Sequence, residues 1–218
     1  MYLIAHRANN NHGYSENSLP AILDVLDKNY IDGIEIDVRI TKDKRLVLIH
    51  DPVIDFLSDG TGIVSHMNLR DLQKYKYGKS KEEIIILDEV LNNITTNKII
   101  IIELKEMGNN YIDLVDETIK LISKYPYLNI FISSFNFLLL TYLKNSYPSI
   151  RCGLIIGYGL NALKINNQFD FNIVSGTYIN KIKRKDYNFV FGIKDKKNLK
   201  DDIYVITDEA YSLAKKDN

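Results

Sequence analysis

Four short strings in this chain place reactive side chains at the ends of apolar segments. Three of them, Ala5-His6-Arg7, Glu35-Ile36-Asp37 and Ile49-His50-Asp51, combine imidazoles, carboxylates and a guanidinium. The fourth, Glu103-Leu104-Lys105, adds another carboxylate and a lysine. Acid–base groups, ligands for a hard metal ion and cations for a phosphate therefore occur together, a combination that suits cleavage of a phosphodiester.

The carboxylates form the first candidate site. Glu35 and Asp37 stand two apart in the predicted strand 33–40, so their side chains point to the same face. Two carboxylates on an apolar face repel each other and lose hydration, and a hard cation such as Mg²⁺ or Ca²⁺ relieves both costs. Glu103, at the end of the most apolar predicted strand, supplies a third. We predict a metal site; the alternative is a solvent-exposed strand end whose acids pair with lysines.

The histidines form the second candidate site. His6 ends the first predicted strand and His50 ends the third, roughly level with Glu35 across a hairpin. Imidazole titrates near neutrality, so this pair can act as base and acid on the two sides of a scissile bond. A structural role is the alternative for either residue. The other two histidines, His12 and His66, lie in polar segments and are predicted surface residues.

The cations complete the set. Lys105 follows Glu103 at the same two-residue spacing, so it shares a face with that carboxylate. A point positive charge there would hold a phosphate oxygen, and Arg7 beside His6 could do the same. A simple ion pair between Lys105 and Glu103 is the alternative.

The elements that must position these groups alternate along the chain. Several predicted strands are continuously apolar, which is typical of parallel strands buried on both faces. Alternation with helices favours α/β architecture, and a closed TIM-type (β/α)8 barrel over an open sheet. Strands are predicted at 3–7, 33–40, 45–50, 98–104, 128–134, 151–156, 171–175, 188–193 and 203–207, and helices at 18–29, 68–75, 87–93, 111–124, 136–145, 196–201 and 208–215.

One connection breaks the alternation. Residues 41–44 are too few for a parallel crossover, which needs a dozen residues or more, so residues 33–50 are predicted to form a β-hairpin. Part of that hairpin is expected to project beyond the eight barrel strands. No linker or repeat interrupts the pattern, and residues 1–218 are predicted to form a single compact domain.

Composition excludes some functions and partners. Lys+Arg and Asp+Glu both total 28, so no overall charge favours nucleic acid or an anionic membrane. The single cysteine, Cys152, excludes an internal disulfide, and its apolar surroundings favour a buried residue over a catalytic thiol. Without a signal-peptide pattern or an apolar run of roughly 20 residues, we expect a cytoplasmic protein with no stable membrane insertion.

The strings, in their order and spacing, resemble the glycerophosphodiester phosphodiesterase family. The likeness covers nearly the whole chain and is strongest up to about residue 105. It is carried by His6-Arg7-Ala8, Ser15-Glu16-Asn17-Ser18, Glu35-Ile36-Asp37-Val38, Thr41-Lys42-Asp43-Lys44, His50-Asp51 and Glu103-Leu104-Lys105, and continues at Leu87-Asp88-Glu89, Ser133-Ser134-Phe135 and Ile206-Thr207-Asp208.

The resemblance implies a barrel with its site at the carboxyl ends of the strands. The substrate's own glycerol hydroxyl would attack phosphorus, and water would open the resulting cyclic phosphate to release glycerol phosphate and an alcohol. A small soluble glycerophosphodiester is the implied substrate. By the likeness, Glu35, Asp37 and Glu103 would bind the Mg²⁺ or Ca²⁺, His6 and His50 would be the acid–base pair, and Arg7 and Lys105 would contact phosphate.

Some residues depart from the family pattern. Ala8 stands where the family has glycine, so a methyl group could reshape the cavity if that position needs a positive φ. Lys44 replaces a turn glycine, and the chain has no tryptophan where the family usually has one.

Two other functions remain open: a phospholipase resembling the sphingomyelinase D enzymes, and a barrel of altered specificity or without catalysis that binds a phosphorylated ligand.

Overall fold

A closed ring of parallel strands forms the centre of the computed structural model, which describes residues 1–9, 13–106, 108, 110–157, 168–181, 186–193 and 202–215. The strands are β1 (Tyr2–Ala5), β2 (Gly33–Ile40), β3 (Leu46–Leu48), β4 (Ile99–Leu104), β5 (Asn129–Ser134), β6 (Cys152–Ile156), β7 (Phe171–Ser175), β8 (Asn188–Phe191) and β9 (Tyr204–Thr207).

The ring closes because β1 pairs in parallel with both β2 and β9. Around it the order is β1, β2, β4, β5, β6, β7, β8, β9, all parallel. Strand β3 lies outside the ring and pairs antiparallel with β2, Val38 opposite Leu48. The predicted TIM-type barrel and the hairpin within residues 33–50 are confirmed.

Helices cover the outside of the ring, which explains why strands such as β4 are apolar on both faces. The first helix is capped by Ser18, whose Oγ accepts a hydrogen bond from the Ala21 N–H. Inside the barrel, aromatic rings of Phe131, Phe171 and Phe189 pack edge to face. The helices are α1 (Leu19–Leu26), α2 (Leu69–Leu72), α3 (Leu87–Asn93), α4 (Tyr111–Ile122), α5 (Phe137–Ser146) and α6 (Ala210–Lys215).

Element ends differ from the prediction by a few residues. The largest functional difference is at β1, which stops at Ala5 and passes into a 3₁₀ turn, His6–Ala8. Arg7 and Ala8 have φ values of 51° and 50°, so the chain cannot continue as a strand there. His12 and the predicted helix 196–201 lie outside the described residues.

The segment between β3 and α3 packs against Val47 of β3 in a small hydrophobic cluster, whose other members are Ile49, Ile54, Val64, Leu72, Tyr77 and Ile84. Exposed His66 belongs to this segment, in agreement with its predicted surface position. Cys152 is buried in the main core, as predicted. In the part of the chain that the structure describes, we find no helix with the length and apolar character needed to cross a bilayer.

Candidate active site

Three carboxylates meet on the inner faces of β2 and β4, near the carboxyl end of β4. Asp37 lies directly opposite Glu103 in the parallel register, and Glu35 shares the inner face of β2 with Asp37. One oxygen of each group lies within 4.8 Å of the others. All three side chains are buried. The strand period thus brings together the three residues that the sequence predicts as metal ligands.

The three carboxylates suit a hard divalent cation. Glu35 Oε2 accepts a hydrogen bond from the Arg7 N–H at 2.8 Å, whereas buried Glu35 Oε1 has no hydrogen-bond partner among the described residues. Burial, followed by the charges of Asp37 and Glu103, raises the pKa of Glu35 well above its usual value. An unpaired buried oxygen in a set of oxygen donors fits Mg²⁺ or Ca²⁺ chemically.

Lys105 reaches into the carboxylates. Its Nζ lies 2.6 Å from Glu103 Oε1 and 3.1 Å from Asp37 Oδ1. Burial lowers the pKa of Lys105, but the charges of Asp37 and Glu103 outweigh burial and raise it, so the ammonium stays charged. The ion pair considered as the alternative from the sequence therefore exists and also includes Asp37. Lys105 and the guanidinium of Arg7, which lies 3.5 Å from Asp37, carry two positive charges against three carboxylates, which leaves negative charge for a cation when all three are ionised.

The imidazoles of His6 and His50 lie against the same cavity. Each ring has a carboxylate oxygen 2.8 Å from its Nδ1 atom. The partner of His6 is Asp208, and the partner of His50 is Asp51. The Nε2 atoms are thereby left for a substrate, and that of His6 lies 3.9 Å from Glu35 Oε2.

The surroundings of His50 also set its charge. Burial lowers its pKa, and the negative charge of Asp37 opposes that change only in part. A neutral ring at neutral pH can accept a proton. Continuing the hairpin register places His50 opposite Ile36, one residue from the predicted level of Glu35.

The left-handed turn after β1 aims Arg7 at the site. Its N–H contacts Glu35, while its guanidinium donates to Glu16 Oε1 at 2.9 Å and lies 3.5 Å from Asp37 Oδ2. Ala8 has the positive φ that the family's glycine would adopt freely, at a cost of about 1–2 kcal/mol for an L-residue. Its methyl group packs in the core. The positive φ named as the condition from the sequence is present, and the Ala8 methyl group is not among the groups that line the cavity.

Several positioning residues, among them Asn17, Arg39, Asp51 and Asp208, were not predicted as site residues. Asn17 donates to Asp37 Oδ2 at 2.9 Å and accepts from the Asp37 N–H at 3.0 Å. Arg39 donates to the carbonyl oxygens of His50 and Lys105 and ties the two strand ends together. Asn17 and Asp208 stand in strings that resemble the family, which could have identified them. Arg39 continues the two-residue spacing of Glu35 and Asp37 along β2, which places it on the same face, but nothing in the sequence indicates its backbone partners.

The cavity has a volume of about 420 Å³ and two unlike halves. The reactive groups line the half formed by β1, β2 and β4. The remaining wall is largely apolar and includes Phe135, Ile155, Ile173, Phe191, Ile193 and Ile206. A charged phosphate and a less polar substituent can therefore be accommodated side by side.

Comparison with known proteins agrees with this geometry. The model of the glycerophosphoryl diester phosphodiesterase family matches residues 6–201. The chain belongs to this family. As a member it is a phosphoric diester hydrolase, and the matched range includes every site residue predicted from the sequence.

Individual relatives of this glycerophosphodiesterase span most of the chain. A glycerophosphodiester phosphodiesterase of Caldanaerobacter subterraneus is 33% identical over 72% of this chain and 68% of its own length. The Bacillus subtilis protein YhdW is 30% identical over 83% of this chain and 75% of its own length.

Solved structures show the same fold. An Oleispira antarctica phosphodiesterase in complex with its product sn-glycerol-3-phosphate superposes with a TM-score of 0.84 at 21% identity, over 100% of this chain and 97% of its own. A Thermotoga maritima glycerophosphodiester phosphodiesterase gives 0.77 at 22% identity, over 99% and 97%.

Proposed function

We propose that this enzyme hydrolyses a small glycerophosphodiester to glycerol phosphate and an alcohol, with a divalent cation and two histidines. The observation that carries the proposal is one cavity lined by His6, His50 and two of three clustered carboxylates. Family membership and the glycerol phosphate product bound to the Oleispira antarctica relative support the substrate class.

In this proposal Glu35, Asp37 and Glu103 hold the cation, Mg²⁺ or Ca²⁺. The bound cation supplies positive charge that offsets the negative charge developing on the phosphate oxygens. Arg7 and Lys105 line the same cavity and hold the other phosphate oxygens. Asn17 and the backbone of Arg7 fix the carboxylates by hydrogen bonds before substrate arrives.

His50, neutral because burial lowers its pKa, suits the base. It takes the proton of the substrate's glycerol hydroxyl as that oxygen attacks phosphorus, while His6, held by Asp208, donates a proton to the departing alcohol. Because the attacking hydroxyl is tethered, proximity lowers the barrier. Water then opens the cyclic phosphate: His6 takes the proton of the water and His50 returns its own to the glycerol oxygen.

The other features of the proposal concern the whole chain. Residues 1–218 are proposed to form one domain, which agrees with the pairing of β1 and β9 that closes the barrel. The substrate is a small molecule rather than nucleic acid, because the chain carries equal numbers of basic and acidic residues. The cytoplasmic location expected from the sequence stays a prediction.

A panel of glycerophosphodiesters assayed for release of glycerol phosphate tests this function. We expect turnover with added Mg²⁺ or Ca²⁺, none in EDTA, and recovery when the metal is restored. Full activity in EDTA would reject the role of the three carboxylates. Binding of glycerol phosphate with no turnover of any diester would favour the non-catalytic alternative.

A further inference from the structure

Ser133 is a buried hydroxyl in the wall of the active-site cavity. It lies opposite Glu103 in the parallel register of β4 and β5, so both side chains face the barrel interior. Its Oγ has no hydrogen-bond partner among the described residues. The next residue, Ser134, donates to the Leu104 carbonyl oxygen at 2.7 Å. The fold therefore uses the hydroxyl of Ser134 and not that of Ser133.

A buried hydroxyl without a partner disfavours the folded state, and such groups are uncommon in proteins. A ligand in the cavity would supply the missing partner. Ser133 stands where the charged half of the cavity ends and the apolar half begins, because Glu103 precedes it around the ring and β6, with Ile155, follows. A ligand group at this position should have apolar carbon atoms that contact the apolar wall and a hydroxyl that pairs with Ser133.

We propose that Ser133 contacts the substrate and hydrogen-bonds the glycerol hydroxyl that takes no part in the attack. This inference rests on the proposed function and adds to it a basis for glycerol specificity. The cyclic phosphate forms through the hydroxyl next to the phosphate-bearing carbon, so the terminal hydroxyl is free for recognition. The phosphate oxygens are met by Arg7 and Lys105 in the other half of the cavity.

Calorimetric binding in Mg²⁺ buffer tests the contact with two ligands, sn-glycerol 3-phosphate and 2-hydroxypropyl phosphate, which lacks only the terminal hydroxyl. We expect the wild type to bind the glycerol compound about 10- to 100-fold more tightly. Ser133→Ala should bind both ligands as weakly as the wild type binds the analogue. Ser175→Ala is the matched control, since Ser175 ends β7 and its hydroxyl contacts Thr177 Oγ1 at 3.1 Å.

Three results would overturn the inference. The first is equal or undetectable binding of the two ligands by the wild type. The second is an equal loss of affinity for both ligands in Ser133→Ala. The third is a lower melting temperature of that variant, which would show that the fold uses the hydroxyl. The proposed function fails separately. A wild type that shows the Ser133-dependent preference but cleaves no diester contradicts that function and leaves this contact intact.

Discussion

In each of the two imidazoles proposed to be catalytic, those of His6 and His50, an aspartate holds Nδ1 and Nε2 is left for the substrate. Replacing His6 or His50 by Ala should therefore remove proton transfer and lower kcat by about 10²–10⁴-fold. We expect a bell-shaped dependence of kcat/KM on pH. Because burial lowers the pKa of His50 below 6.5, the base stays neutral at that pH and the acidic limb falls below it.

His66→Ala is the matched control for both variants, because this exposed histidine lies away from the cavity. Steady-state assays across pH 5 to about 9 measure the profile. Near-normal turnover in His6→Ala and His50→Ala, or a single rising limb, would exclude the pair from the mechanism.

Asn17 controls the charge of a proposed metal ligand. Burial raises the pKa of Asp37, but Lys105 and the Asn17 hydrogen bond oppose burial and help to lower it. In Asn17→Ala the carboxylate loses a donor and its backbone N–H loses an acceptor, so the affinity for Mg²⁺ should fall about 10- to 100-fold. Calorimetric titration measures this loss. Asn93→Ala, whose exposed side chain donates to the Glu89 carbonyl, should bind Mg²⁺ as the wild type does.

The sequence predicts the carboxylates and histidines of the site because their strands have a fixed period of two residues. It does not predict the contact between His6 and Asp208, which are 202 residues apart and meet only when β9 pairs with β1. Arg39 escapes prediction for a related reason. Its role depends on how the ends of β3 and β4 lie relative to each other.

The hairpin of β2 and β3 positions His50, and its turn contains a strained residue. Lys44 has a φ of 57°, and its exposed ammonium contacts Asp113 at 3.0 Å. Lys44→Gly should raise the free energy of unfolding by about 0.5–1 kcal/mol, because glycine removes the left-handed cost but adds freedom to the unfolded chain. Urea denaturation measures the change.

Two variants separate backbone strain from other effects in this turn. Lys42→Gly, at an exposed position that is not in the left-handed region, should lower stability by a similar amount. Asp113→Ala removes the surface ion pair and should change stability by less than about 1 kcal/mol. A loss of stability in Lys44→Gly would show that the ion pair outweighs the strain.

Strand existence was predictable along the whole barrel, but strand ends were not. Continuous apolar runs mark β4 and β5 clearly, since both faces are covered. At β1 the run Ala5-His6-Arg7 also reads as a strand, yet the backbone turns at Arg7 so that its N–H reaches Glu35. That conformation is imposed by a tertiary contact, which single-sequence patterns do not contain.

At the scale of the whole molecule, the buried carboxylate of Glu35 opposes folding when it is ionised. Burial raises the pKa of Glu35 above its ordinary value of 4.5, so the folded, metal-free protein holds this proton more tightly than the unfolded chain. Its stability contribution is therefore greatest at low pH and is lost as pH rises through the raised pKa. Glu35→Gln removes this titration.

In EDTA, Glu35→Gln should be more stable than the wild type at pH 8, and the difference should shrink as pH falls toward 4.5. In Mg²⁺ at 100 times its dissociation constant the wild type should gain stability relative to the variant, because binding stabilises the wild type by about 2.7 kcal/mol and the variant lacks one ligand. Urea denaturation at several pH values measures both differences. If Mg²⁺ leaves the stability difference between the two proteins unchanged, Glu35 is not a ligand. If the EDTA difference does not change with pH, its carboxylate is not destabilised by burial.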